Sequence, residues 1–252
     1  MAGHVVLVLG CHRSGTSLVA NALPCLGASL GPRAAWGGRD NPNFGEDLDV
    51  LGLDERLMMA FGARWDDPTP LPAGFEQSMI IEWGFGSEAI CLLADRLTAH
   101  PLLAIKEPRM CRLLPFWRKM FAQVGCRVSV VFVVRHPLAV AASLTKRNGI
   151  PKEQGLALWL EYVTRARAEV DPAWPSTTVQ YDQMAVLPRV TIQEIGYALE
   201  LVPDEAVVEK FADEFVDRSL WHQDEGDDGA LPAEVLAAWK LEQARAARGM
   251  AA

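Results

Sequence analysis

The sequence is short of paired cysteines, of positive charge and of long apolar runs. Its five cysteines, Cys11, Cys25, Cys91, Cys111 and Cys126, are odd in number and form no C-x-x-C pair. That excludes a disulfide framework or a zinc site as the organising device and leaves reduced, buried thiols. Lysine and arginine total 24 against 32 acids, a net charge of −8, so neither nucleic acid nor an anionic membrane is an expected partner. Any anionic ligand has to be held by a local cluster of cations. The first apolar run, residues 5–9, stops at Gly10 and follows no basic stretch, too short for a signal peptide or a membrane span. A cytoplasmic location is therefore expected. No repeat, low-complexity tract or linker divides the chain.

What is present is core material. The chain has 252 residues, half of them apolar, with eight tryptophans and nine phenylalanines, enough for one domain over residues 1–252 with a full-sized core. Residues 5–9 form a continuous, β-branched-rich run, and residues 128–134 are apolar at six of seven positions. Both read as strands buried on two faces. Shorter strands are expected over 102–105 and 177–181. Helical spacing predicts helices from Gly15 to about Pro24, then over 48–62, 88–99, 111–124, 137–149, 152–170 and 191–201. Residues 27–44, crowded with Gly, Pro, Arg and Asn, read as a long irregular loop that shapes a site. The Pro-punctuated stretch 66–72 is a second loop, and the acidic run 224–229 a solvated loop before a C-terminal helix. Strands alternating with helices predict an α/β fold of three layers, P-loop NTPase-like, with a central, mostly parallel sheet and ligands at the carboxyl ends of its strands. Chemistry is expected after Leu9, Ile105 and Val134.

Gly10-Cys11-His12-Arg13-Ser14-Gly15-Thr16-Ser17 has the spacing of a nucleotide phosphate loop, but Thr16 stands where that motif requires lysine. Losing the lysine removes the main support for ATP or GTP hydrolysis. The backbone amides of such a turn can still cradle one phosphate, with Arg13 as the cation. Directly after a buried strand, residues 12–17 resemble the 5′-phosphosulfate loop of sulfotransferases that use 3′-phosphoadenosine 5′-phosphosulfate (PAPS). The resemblance continues at Val131-Phe132-Val133-Val134-Arg135-His136-Pro137 and on to Ser143. Arg135 and Ser143 are eight residues apart, the spacing of the pair with which that family grips the 3′-phosphate. Leu158-Trp159 and Val179-Gln180-Tyr181-Asp182 also look like bacterial members, so the likeness spans about residues 4–185.

The resemblance implies PAPS as co-substrate without a metal, with Arg13, Ser14, Gly15, Thr16 and Ser17 on the 5′-phosphosulfate and Arg135 and Ser143 on the 3′-phosphate. It implies in-line transfer to a hydroxyl or amine of a small acceptor such as a sugar, a natural-product alcohol or an aryl hydroxyl. The acceptor side is expected in the loops of about 27–85, and a helical part in about 183–252. The histidine base of animal cytosolic members is missing, since the second strand reads Ile105-Lys106-Glu107-Pro108-Arg109. Asp40-Asn41-Pro42-Asn43-Phe44-Gly45-Glu46-Asp47 instead looks like the Asn-Pro segment of bacterial and carbohydrate-type members. That makes Glu46 the expected base, with Asp47 second and His12 a further candidate. Both acids also suit a helix N-terminus. Lys106 is either a stabiliser of the transferring group or a surface ion-pair partner, and Arg109 either touches a ligand or forms a structural salt bridge. His136 is expected to pack beside Pro137, and Trp36, Phe44 and Trp65 to line an acceptor pocket. The rival readings are a magnesium-dependent P-loop kinase or nucleotide hydrolase, and a non-catalytic nucleotide-binding protein.

Overall fold

A strand of unbroken apolar residues is stable only if both of its faces are covered. The computed structural model, which describes residues 3–31, 34–36, 43–81, 83–215 and 227–249, covers both. Four parallel strands lie in the order β4 (Leu102–Lys106), β1 (His4–Leu9), β5 (Arg127–Val134), β6 (Ser176–Gln180). Because side chains alternate along a strand, Val5, Leu7 and Leu9 of β1 face one layer with Val128, Val130, Phe132 and Val134 of β5. That layer holds α2 (Leu48–Ala60), α4 (Phe85–Ala99), α5 (Met110–Val124), α7 (Lys152–Glu169) and α11 (Ala233–Gly249). Val6, Val8, Val131 and Val133 face the other, built from α1 (Thr16–Ala22), α9 (Pro188–Leu199) and α10 (Glu205–Lys210). Each fully buried Val or Leu contributes roughly 1.5–3 kcal/mol, so both faces anchor the strand ends in fixed register, with Val8 opposite Lys106 and Val131. The expected three-layer α/β architecture is the one observed.

Several elements differ from the sequence reading. The stretch 27–44 is not wholly irregular: β2 (Ala34–Trp36) pairs antiparallel with β3 (Asn43–Asp47). A three-residue strand and a turn-former-rich partner carry no alternation to reveal them. Ser29 also bridges to β4, accepting from the Ala104 N–H at 2.7 Å and donating to the Leu102 carbonyl at 3.0 Å. Tyr181 does not end the fourth strand; it opens α8 (Tyr181–Val186). The short helix α3 (Phe75–Ile81) follows the Pro-punctuated loop. Asp228–Ala230 forms a 3₁₀ turn within the acidic run. Residues 40–42 and 224–226, the side chain of Trp36 and His222 lie outside the described residues. No described helix is long and apolar enough to cross a membrane. The helix α6 (Pro137–Asn148) starts at Pro137 as expected, with His136 as its N-cap accepting from the Leu138 N–H at 3.2 Å. His136 also meets Asp228 at 3.1 Å and packs edge-on against Trp239, so the C-terminal segment braces the start of α6.

Candidate functional site

The carboxyl ends of β1, β4, β5 and β6 deliver Gly10 and the loop after it, Lys106 to Arg109, Arg135, and Tyr181. The loop needs glycine twice. A Cβ on Gly10 would lie 2.5 Å from the Val133 carbonyl oxygen, and one on Gly15 only 2.2 Å from the Tyr181 ring. Gly15, at φ 88°, is also left-handed as it caps α1. Arg13 shares that conformation at φ 68°, one that costs a non-glycine residue about 1–2 kcal/mol and that clusters at functional sites. Ser14 and Thr16 are buried, and the Ser14 hydroxyl is enclosed without a partner among the described residues. Ser17 sits in the first turn of α1. The turn therefore offers an orphaned hydroxyl and a helix N-terminus at the spot where a side chain would clash, as an anion cradle does.

The two sequence motifs meet. Arg13 Nε donates to Ser143 Oγ at 2.9 Å, joining the first loop to the second turn of α6. Arg135 instead lies over the Tyr181 ring, 4.5 Å from its centroid, and no carboxylate lies within ion-pair distance of it among the described residues. Tyr181 thus touches both motifs, Gly15 on one side and Arg135 on the other. Burial pushes its phenol above the ordinary value, so it stays neutral. No single-residue signal gave it this role; its place at a predicted strand end and in the family-like segment 179–182 pointed that way.

Lys106 corrects the surface-ion-pair alternative. It is buried at the end of β4 and its ammonium contacts Glu46 Oε1, sixty positions earlier in the chain. The β2–β3 ribbon brings the two together. Asp47, next to it, caps α2 by accepting from the Asp49 N–H at 2.9 Å and is held by Arg96 at 2.6 Å, which commits it to structure. Arg109 binds Glu107 at 2.5 Å and Glu55 at 3.0 Å. Arg147, one turn beyond Ser143, lies over Phe44 at 5.2 Å, on the same face of β3 as Glu46.

His12 packs against Trp65 and Tyr162, with centroids 4.6 and 5.4 Å away. Its Nε2 is enclosed without a partner among the described residues. Burial first, then the charges of Arg109, Lys106, Arg13 and Arg147, push its pKa well below the imidazole range. It is neutral and a poor proton acceptor. Trp65 belongs to a loop fixed from beneath, because the buried Arg112 donates to the carbonyls of Arg64 and Asp67 at 3.0 and 2.9 Å and also to that of Thr69. A cavity of about 410 Å³ between Arg118, Cys126 and Trp174 lies at the amino end of β5, away from these groups.

Among solved structures, the sulfotransferase domain from the Synechococcus PCC 7002 olefin synthase superposes with a TM-score of 0.58 at 16% identity, over 95% of this chain and 94% of that one. The sulfotransferase domain from the curacin biosynthetic pathway gives 0.56 at 15% identity, over 96% and 98%. The chain has the fold of these sulfotransferase domains. No protein-family model matches it, and no curated protein matches its sequence.

Proposed function

We propose that the chain is a sulfotransferase that moves a sulfuryl group from PAPS to a hydroxyl or amine of a small acceptor, with Glu46 as base. The observation that carries this reading is the convergence of three groups at the strand ends. They are an anion-shaped loop hydrogen-bonded through Arg13 to Ser143, a cation on a neutral ring at Arg135, and a buried Lys106–Glu46 pair. The fold shared with two sulfotransferase domains supports it.

The residues fit the donor. The orphaned Ser14 hydroxyl and the amides of Gly15 and Thr16 would hold the 5′-phosphosulfate, with Arg13 and Ser17 beside them. Arg135 and Ser143 would hold the 3′-phosphate. When bound, PAPS supplies an activated sulfur and a phosphate leaving group. The chain's own part is positional and electrostatic. Glu46 takes the acceptor proton as the acceptor atom bonds to sulfur and the bond from sulfur to the phosphate oxygen breaks. Lys106, already in contact with Glu46, stays within reach of charge developing on the transferring group. His12, kept neutral and walled by rings, is disfavoured as the base. Thr16 in the lysine position weighs against a kinase or hydrolase.

The test is calorimetric titration with 3′,5′-adenosine bisphosphate, 5′-AMP and magnesium-ATP on wild type and Arg135→Ala. The reading expects metal-independent binding of the bisphosphate, weakened about 10- to 100-fold in the variant, the scale of a charge-assisted contact. Preference for magnesium-ATP, or no bisphosphate binding, would overturn it.

A further inference from the structure

Behind Lys106 the chain buries two carboxyl groups that the reaction above does not use. Asp54 projects from α2 and Glu107 follows the last residue of β4, and both are fully enclosed. Asp54 Oδ1 accepts from Trp117 Nε1 at 2.8 Å, and Glu107 Oε1 accepts from Arg109 at 2.5 Å. Their other oxygens, Asp54 Oδ2 and Glu107 Oε2, are buried with no hydrogen-bond partner among the described residues, and each carboxyl acts electrostatically on the other. Two ionised carboxylates cannot satisfy each other, because each only accepts. Two adjacent buried charges would also cost several kcal/mol. Glu107 has a guanidinium in contact and Asp54 does not, so a proton held between them belongs on Asp54.

We propose that Asp54 and Glu107 hold one proton between them and act as a positioning pair, fixing Arg109 and setting the charge behind the Lys106–Glu46 contact. The groups facing the pair are Glu46 from β3, Arg109 after β4, Cys111 and Trp117 from α5, and Tyr162 from α7, with Glu55 bound to Arg109. Burial, then repulsion from Glu107, pushes the Asp54 pKa well up; burial and Glu46 push that of Glu107 up against the opposing pull of Arg109. With one proton the pair carries a single negative charge that balances Arg109. Losing it adds negative charge beside Glu46, facing an anionic donor.

The sign of the stability effect follows. The folded chain keeps a proton that the unfolded chain releases in the ordinary carboxylate range. Stability from this pair is therefore full below that range and is lost as pH rises through the raised value. Infrared spectroscopy of the full chain near neutral pH is expected to show the carbonyl stretch of a protonated carboxyl, absent in both Asp54→Asn and Glu107→Gln. In each variant an amide N–H replaces the shared proton as donor. The melting temperature of Asp54→Asn is expected to gain on wild type as pH rises. A wild type without the band, or a variant that keeps it, overturns the shared proton. The positioning role rests on the donor reading and has its own readout. Bisphosphate affinity of wild type should fall about fivefold from neutral to alkaline pH, the order of one added nearby charge, and stay flat in Asp54→Asn. Parallel declines in both proteins overturn that role. If neither protein binds the bisphosphate, the donor reading fails while the infrared band still decides the proton.

Discussion

The two ends of the site are built with opposite electrostatics. At the end formed by the first loop, β5 and α6, Arg13 donates to a serine hydroxyl and Arg135 rests on a neutral tyrosine ring. At the end formed by β3, β4 and α2 the cations face carboxylates, Lys106 on Glu46, Arg109 on Glu107 and Glu55, and Arg96 on Asp47 and Asp49. A cation on a neutral partner keeps most of its field for a ligand, whereas one on a carboxylate spends it locally. On the proposed function, Arg135 makes the first the donor end, gripping a multiply charged ligand in a chain of net charge −8. The second is then the acceptor end, handling a neutral acceptor and its proton.

If the division holds, variants at the two ends should affect different constants. The largest effect is expected from Glu46→Gln, which keeps a hydrogen-bond acceptor for Lys106 but cannot take a proton. Turnover should fall about 10²- to 10⁴-fold, the range of a general base, while calorimetry finds bisphosphate affinity retained. Loss of both would erase the distinction between the ends. Gly15→Ala should do the reverse. The added methyl meets Tyr181 in a left-handed backbone, so affinity for the bisphosphate should drop about 10- to 100-fold with a lower melting temperature.

The same contrast governs what the sequence made legible. The donor end sits on β1 and β5, whose continuous apolar runs announce strands, and its loop has a fixed spacing that needs no partner elsewhere to be seen. The acceptor end depends on contacts between distant segments. Lys106 reads as either a stabiliser of the transferring group or a surface ion-pair partner until the β2–β3 ribbon sets Glu46 against it, and that ribbon has too few residues to show a period. Arg112 sits within an amphipathic helix and gives no sign that it holds three loop carbonyls. Asp54 lies within the helix expected over 48–62 and gives no sign that it is buried against Trp117. Even within the donor end, spacing singled out Ser143 but not its hydrogen bond to Arg13, because only tertiary packing decides which side chains meet across a loop and a helix.

Tyr181 tests whether Arg135 needs its ring. Tyr181→Phe keeps the stacked face and should retain donor affinity, whereas Tyr181→Leu should weaken it about 3- to 30-fold, the scale of a partly desolvated cation–π contact. Equal losses in both would give the role to the hydroxyl instead.

Ser143→Ala should have the smallest effect, about 3- to 10-fold on bisphosphate affinity, and its pattern matters more than its size. The hydroxyl accepts from Arg13 at 2.9 Å, so it can act by orienting that guanidinium or by touching a 3′-phosphate itself. Binding of 5′-AMP separates the two, since that ligand lacks the 3′-phosphate. If Ser143 works through Arg13, both nucleotides lose affinity by the same factor; if it grips the 3′-phosphate, only the bisphosphate does. A proportional loss would mean that the loop and α6 form one anion site tied by a single hydrogen bond, and a selective loss that they form two sites whose contact merely keeps them in register.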